Sequence, residues 1–347
     1  GGETVQQSLL AKEFASRGYQ VSLVVPDTGQ PDGKLIDKIK MWKTYRETAG
    51  IRVLRFFYPR ITSTLRALRR ADADVYYQSP AGMDTGLTAA FCQAKGRKFI
   101  HRIASDVNCI PGQQLIKYWR DRKIYEYGLK RANLVAAQSV KQANLLQKHY
   151  GLHSVTVNMA VELSQGDSTL ERAIDVLWVN NLRQVKRPQL FLELATKLPG
   201  YRCVMIGGPC PGQNNYYQEI SRQAETVENL EFLGAVPYGE VNRYFTQAKV
   251  FVNTSEVEGF PNSFLQAWVH GVPVVSFFDP DDLIAQKELG VAPAGLGEMA
   301  QAVEALLRNE QHRVDVGSRA RTFALDNYSP SSVVSQYIEL IESMERE

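Results

Sequence analysis

Residues 253–276 read NTSEVEGFPNSFLQAWVHGVPVVS, and this stretch holds the densest set of side chains able to do chemistry. An acid, Glu258, follows a short apolar run that reads as a buried strand. A turn of Gly259, Phe260 and Pro261 comes next, then a helix beginning near Asn262 and Ser263. The first backbone N–H groups of such a helix have no carbonyl partner within it, and the helix dipole adds partial positive charge there. The segment therefore makes a natural anion site for a diphosphate. Pro261 suits the first turn, where its missing N–H costs nothing. Gln266 lies about one turn into the helix and can reach a ligand beside that site. Gly271 and Pro273 end the helix and feed the next strand.

The segment resembles the signature of glycosyltransferase family 4, retaining enzymes of the GT-B fold, which reads Glu, seven residues, Glu, and later Gly-x-Pro-Val-Val. Glu258 takes the first position and Gln266 the second. The resemblance implies that Glu258 contacts a donor sugar and that Gly259, Phe260, Asn262 and Ser263 line the donor. Gln266 stands where a carboxylate would hold ribose hydroxyls; an amide offers one acceptor and two donors instead, a different arrangement of the same contact. Residues 177–194, LWVNNLRQVKRPQLFLEL, resemble a second family segment, Gly-Arg-Leu, three residues, Lys. Lys186 takes the Lys position and Asn181 the Arg position, with Arg183 and Arg187 near enough in sequence to supply the missing cation. Such cations stabilise the charge that grows on a departing diphosphate. A third likeness, GGETVQQSLLAKEFASRGYQVSLVV, places Gly1 and Gly2 in a loop where backbone can approach the donor closely. The likeness also takes in residues 204–211, residues 233–255 with Tyr244 and Lys249, and the closing helix.

On the acceptor side the pattern departs from the family. Many members carry a His after the strand equivalent to residues 98–103, and here the loop reads Ala104, Ser105, Asp106. His101 lies inside the strand and reads as a core residue satisfied by a neighbour. Asp106 and Gln78, with Ser79, end strands where open α/β sheets bind ligands, and they are the acceptor-side candidates. Gly295, Gly297 and Ala300 spell a dinucleotide fingerprint without a good preceding strand, so a helix-starting turn is the expectation. Gly207, Gly208 and Gly212 read as a strand-end turn. Asp279, Asp281 and Asp282 read as a helix cap, so neither a metal nor a cofactor is expected.

The elements that must position these residues alternate short apolar runs with helix-period segments, the signature of parallel α/β sheets. Strands are expected at residues 19–25, 51–56, 73–78, 97–103, 133–137 and 154–158, and again at 174–179, 202–207, 230–234, 250–253 and 272–276. With 347 residues, 44% hydrophobic and 22% charged, the chain fits two globular domains. A polar linker over residues 162–172 sets the division: 1–165 an acceptor-side Rossmann-like domain, 166–328 a donor domain, 329–347 a helix returning to the first. The family likeness implies that the two doubly wound domains face a cleft. Because the chain opens on a strand-to-helix turn, the first strand of its sheet is expected to be missing.

A net charge of +3 argues against a nucleic-acid partner. Residues 1–165 carry 25 Lys and Arg against 13 Asp and Glu, a net of +12, and the remainder 15 against 24, a net of −9. The basic residues cluster at 34–46, 65–70 and 117–131, and the first stretch, with Leu35, Ile39 and Trp42, reads as an interfacial helix. The expected partners are a nucleotide-sugar donor, a glycan or lipid-linked acceptor, and an anionic membrane surface; a solvated basic face explains the same residues. No apolar run reaches the roughly 20 residues of a membrane span. No secretory signal is visible, and four unpaired-looking cysteines, Cys92, Cys109, Cys203 and Cys210, suit reduced thiols, so a cytoplasmic or peripheral inner-membrane protein is expected. The expected function is retaining transfer of a sugar without a metal. A non-catalytic sugar-nucleotide-binding protein and a GT-B sugar-nucleotide epimerase stay open.

Overall fold

The computed structural model describes residues 2–46, 48–51, 54–163, 172–210 and 212–346. The chain forms two compact units, Gly1–Ala160 with Pro330–Glu347, and Val161–Ser329. The linker expected at residues 162–172 falls largely on 164–171, outside the described residues.

The first unit has two sheets. One joins β1 (Val21–Val25), β3 (Ile39–Lys43) and β2 (Leu35–Ile36) in that order; the other is parallel, β4 (Val75–Gln78), β5 (Lys98–Arg102), β6 (Leu134–Ala137) and β7 (Val155–Thr156). Among the described residues no strand joins the two. The helices are α1 (Gly2–Ser16), α2 (Thr62–Ala71), α3 (Met83–Lys95), α4 (Trp119–Leu129) and α5 (Val140–Tyr150), and α13 (Pro330–Arg346) returns to cover the β4–β7 sheet. In α13, Val333, Val334 and Tyr337 pack with Ile100, Ala136 and Val157, burying one apolar stripe of the helix. α3 and α4 touch backbone to backbone: a Cβ on Gly86 would lie 2.2 Å from the carbonyl oxygen of Ile124, and one on Gly128 2.5 Å from that of Thr85.

Two expectations for this unit are corrected. Residues 34–46 form no interfacial helix but the β2–β3 hairpin. Its turn is Asp37 and Lys38, both at positive φ (49° and 65°), the twist a two-residue hairpin needs. The three-residue spacing of Ile39 and Trp42 imitates a helix, yet both are buried from the strand, and Trp42 lies against Lys40 and Arg70 at 4.8 and 4.1 Å. Of residues 51–56, the described ones, Ile51 and 54–56, form no strand, and positions 52 and 53 lie outside the described residues. Leu54 and Arg55 turn back onto the carbonyl of Ile51, and a wide helical turn over Phe56–Ile61 runs into α2. It breaks at Tyr58 (φ −128°, ψ 121°), the extended conformation forced on a residue before proline.

The second unit is one parallel sheet ordered β10 (Leu230–Phe232), β9 (Cys203–Ile206), β8 (Ile174–Val179), β11 (Ala248–Asn253), β12 (Val274–Ser276) and β13 (Gly290–Val291). Counted from β8 this is 3-2-1-4-5-6, the doubly wound Rossmann order. Around it lie α6 (Pro188–Thr196), α7 (Asn214–Ala224), α8 (Tyr238–Gln247), α9 (Asn262–Val269), α10 (Leu283–Gln286), α11 (Leu296–Arg308) and α12 (Glu310–Tyr328). Because both faces are covered, the strands are near-continuous apolar runs, with Val176, Trp178, Met205, Val250 and Val252 in one core. Gly295 opens α11 as expected, and the short β13 before it is an edge strand that Val291 alone did not announce. Asp279 caps α10, accepting from the N–H groups of Ile284 and Ala285 at 2.7 and 3.1 Å.

His101 on β5 is fully buried, its Nδ1 2.9 Å from Gln78 Oε1. Gln78 donates its amide to the carbonyl of Pro80 and accepts from Thr85 Oγ1 at 2.9 Å, so its oxygen faces the ring and Nδ1 carries the proton. Burial pushes the His101 pKa down from 6.5 to about 3. The unfolded chain therefore binds a proton that the fold refuses between those values. Stability is full above the unfolded pKa and falls as pH drops below it, by up to about 1.4 kcal/mol per pH unit from this group. Thermal unfolding followed between about pH 7 and about pH 5 is expected to fall more steeply in the wild type than in His101→Gln, and equal slopes would remove His101 as the cause.

Candidate functional site

In a doubly wound sheet, ligands bind where the strand order reverses, beyond the carboxyl ends of the two strands flanking that point. Here those strands are β8 and β11, directly paired with Phe251 opposite Leu177. Lys186 lies in the loop after β8, on a short 3-10 turn over Gln184–Lys186, and Glu258 lies in the loop after β11. Their side chains meet: Lys186 Nζ and Glu258 Oε1 form an ion pair, with side chains only 16% and 10% exposed. Ser255 Oγ donates to the same Glu258 oxygen at 2.6 Å.

The two loops are fastened to each other by buried polar groups. Thr254, fully buried, accepts from Trp178 Nε1 at 3.0 Å and donates to the Lys186 carbonyl at 2.8 Å. Its own carbonyl accepts from Arg187 Nε at 3.0 Å, and the N–H of Glu256 donates to the carbonyl of Val185 at 3.0 Å. Arg187 holds φ 46°, ψ 52°, a left-handed conformation that costs a non-glycine residue about 1–3 kcal/mol. It sits between Lys186 and Pro188, the first residue of α6, and its guanidinium also lies 5.3 Å from the Phe277 ring. That strained turn directs the Lys186 backbone toward the β11 loop.

The remaining donor-side candidates divide. α9 opens at Asn262, and the residue ahead of it, Pro261 at φ −71°, supplies no side-chain cap. Phe260 turns into an aromatic cluster, 5.3 Å from Tyr328 and 6.3 Å from Trp268, and so anchors the loop. Gln266 is 7% exposed and donates to Asn242 Oδ1 on α8 at 2.9 Å, leaving its carbonyl oxygen as the remaining acceptor. Arg183 points to Cys210, Nε to Sγ 3.1 Å, and Asn181 is exposed. A Cβ on Gly207 would come within 2.2 Å of the Asn180 carbonyl oxygen, so only glycine lets the β9 loop close on the β8 loop here. Gly1 lies outside the described residues, and Gly2 opens α1 in the first unit.

In that first unit, Asp106 is held by α5: its oxygens meet Lys141 Nζ at 2.7 Å and Gln142 Nε2 at 3.0 Å. Gln78 is engaged with His101, Thr85 and Pro80. Beside them runs a network that sequence reading missed. Arg102, 1% exposed, donates to both oxygens of Glu3 on α1 at 3.0 and 3.1 Å, and Ser79 Oγ donates to Glu3 at 2.6 Å. The only sequence signal was a charged residue, Arg102, closing an apolar strand. Thr254 and Asn242 were missed as well; the polar run Asn253, Thr254, Ser255 closing an apolar strand was the available sign of the first, and the structure buries all three.

Residues 163–323 match the model described as glycosyl transferases group 1, and residues 1–163 match glycosyltransferase family 4. An O-antigen biosynthesis glycosyltransferase, WbnH of Escherichia coli, is 28% identical over 123 residues, 35% of this chain and 33% of that one. A poly(ribitol-phosphate) alpha-N-acetylglucosaminyltransferase of Staphylococcus aureus is 29% identical over 100 residues, 27% of this chain and 20% of that one. The chain thus spans a third or less of the length of these curated relatives. Among solved structures, HepE of Anabaena, in complex with UDP and glucose, superposes with a TM-score of 0.74 at 15% identity over 99% of this chain and 96% of that one. Sucrose-phosphate synthase from Thermosynechococcus elongatus gives 0.75 at 15% identity over 100% and 94%. At such identity the likeness is one of fold, the GT-B fold of two Rossmann-like domains. With both family models laid end to end across the two units, the chain belongs to the glycosyltransferases of the group 1 and family 4 type.

Proposed function

We propose that the protein transfers a sugar from a nucleotide diphosphate sugar to an acceptor with retention of anomeric configuration. The observation that carries this reading is the meeting of Lys186 and Glu258 beyond the carboxyl ends of β8 and β11. Both residues stand where the family pattern puts its diphosphate and sugar contacts. The glycosyltransferase activities named for the two curated relatives, and the UDP and glucose bound by HepE, support a nucleotide-sugar donor. The names of the two relatives also support a glycan acceptor; in the proposed reading that acceptor, free or lipid-linked, is presented at the cytoplasmic face of an anionic membrane.

In the proposed reaction the donor diphosphate takes over Lys186 from Glu258, and the start of α9 meets the second phosphate. Glu258, still held by Ser255, accepts from the sugar hydroxyls. Gln266, oriented by Asn242, presents its carbonyl oxygen to the ribose. The bond from the anomeric carbon to the diphosphate oxygen breaks as the bond to the acceptor oxygen forms on the same face, and the acceptor proton passes to the departing phosphate oxygen. Growing charge on that oxygen is met by Lys186 and backbone N–H groups, which is the main catalytic term and requires no metal or cofactor in this reading.

Nucleotide release over a panel of nucleotide sugars tests this. Lys186→Ala is expected to lower turnover by about a hundredfold to a thousandfold, the loss typical of removing one preorganised donor to a developing oxyanion. Glu258→Gln, which keeps the shape and the Ser255 contact, should also lose at least about a hundredfold while the unfolding temperature and circular dichroism stay near wild type. Wild-type turnover in either variant would sink the reading, and donor-induced thermal stabilisation without turnover in the wild type would favour a binding protein. Thr254 is assigned as a positioning residue. Thr254→Val, which keeps the shape but loses both hydroxyl bonds, is expected to lower kcat about tenfold or more with little change in KM, and Thr254→Ser to restore it. A Thr254→Ser variant as impaired as Thr254→Val would refute that role.

A further inference from the structure

On the first unit, two touching segments that carry cations and no acids each expose apolar side chains. Along residues 51–60, Ile51, Leu54, Phe57 and Tyr58 are 58–71% exposed, and along residues 115–120, Leu115 is 90% and Trp119 74% exposed. The segments touch: the Arg120 guanidinium lies 3.4 Å from the centre of the Phe56 ring and 6.0 Å from that of Tyr118, and Lys117 lies 5.4 Å from Tyr118. Phe56 and Phe57 meet edge to face at 5.1 Å. Patches of this kind on a soluble surface mark interaction sites.

We propose that this patch seats the unit on an anionic lipid bilayer. Aromatic rings at a water–hydrocarbon boundary, flanked by Lys and Arg that keep their charge at the headgroups, are the arrangement that interfacial binding calls for. Charge selects the partner: Arg55, Arg60 and Lys117 lie along the two segments and no acid does, while Arg120 is paired with Asp121 at 2.9 Å, so an anionic surface is attracted and a neutral one is not. A glycan chain fits less well, because Ile51, Leu54 and Leu115 offer sugar hydroxyls no hydrogen bond. The surface replaces the interfacial helix expected at residues 34–46, where Trp42 is buried between cations. This deepens the proposed membrane-side placement of the acceptor, and its test needs no turnover, so its failure leaves the transfer reading standing.

The four tryptophans supply the readout. Trp42, Trp178 and Trp268 are 8%, 0% and 0% exposed and Trp119 is 74% exposed, so a blue shift of emission on binding reports Trp119. With vesicles of phosphatidylcholine mixed with phosphatidylglycerol, the full chain is expected to co-sediment and to shift its emission to the blue. It should do neither with phosphatidylcholine alone, and salt should weaken both. The double variant Phe57→Ser, Trp119→Ser is expected to bind about tenfold more weakly with unchanged unfolding temperature, and Lys117→Glu about fivefold more weakly. Trp119→Phe should keep binding and lose the shift. Absence of binding by the wild type, equal binding by the double variant, or a blue shift with soluble glycan and not with vesicles would overturn the proposal.

Discussion

The arrangement of the second unit rests on the parting of β8 and β11. They are neighbours in the sheet, but the chain leaves β8 toward one edge and returns in β11 to build the other. Their following loops must therefore diverge around a shared space. Everything assembled there uses that divergence. Lys186 arrives from one side and Glu258 from the other, and Thr254 fastens the two loops with its hydroxyl and its carbonyl. The hydroxyl is itself held by an indole in the core, so its position is fixed by packing as well as by hydrogen bonds. A strained Arg187 and the absent side chain of Gly207 let three loops approach more closely than ordinary residues allow.

Much of this was legible in the sequence, for identifiable reasons. Strands covered on both faces become unbroken apolar runs, so β8, β9, β11 and β12 stood out without any alternation to read. The helix start at Asn262 was legible because Gly, Pro and Asn each carry a backbone preference at that point. The β2–β3 hairpin was not. Its turn residues, Asp37 and Lys38, take positive φ without glycine or asparagine, and Ile39 and Trp42 happen to fall at helical spacing. Pairings between distant segments were also hidden. Nothing local in Gln266 names Asn242 as its partner, and nothing in Glu3 announces that Arg102 will be buried against it.

The two units solve the same polar problem differently. In the first, the carboxyl ends of β4 and β5 are closed by α1, whose Glu3 neutralises Arg102 and accepts from Ser79, while Asp106 is bound to α5. Removing one partner from such a buried pair leaves an uncompensated charge, so these residues hold the sheet end together. In the second unit the charges at the strand ends face each other across a loop pair, and among the described residues the acid's other tie is a single hydroxyl, Ser255.

The ion pair between Lys186 and Glu258 also bears on discrimination. A site whose cation already has a counterion offers little net attraction to a bare anion. Inorganic phosphate that captured Lys186 would strand a partly buried carboxylate, and the cost of that stranded charge offsets the new contact. A ligand bearing an anionic group and hydroxyls at the right separation satisfies both halves at once. On the proposed reading the resting pair works as a coincidence filter: a molecule that is diphosphate at one end and sugar at the other opens it at least cost, and a simple anion gains little by opening it.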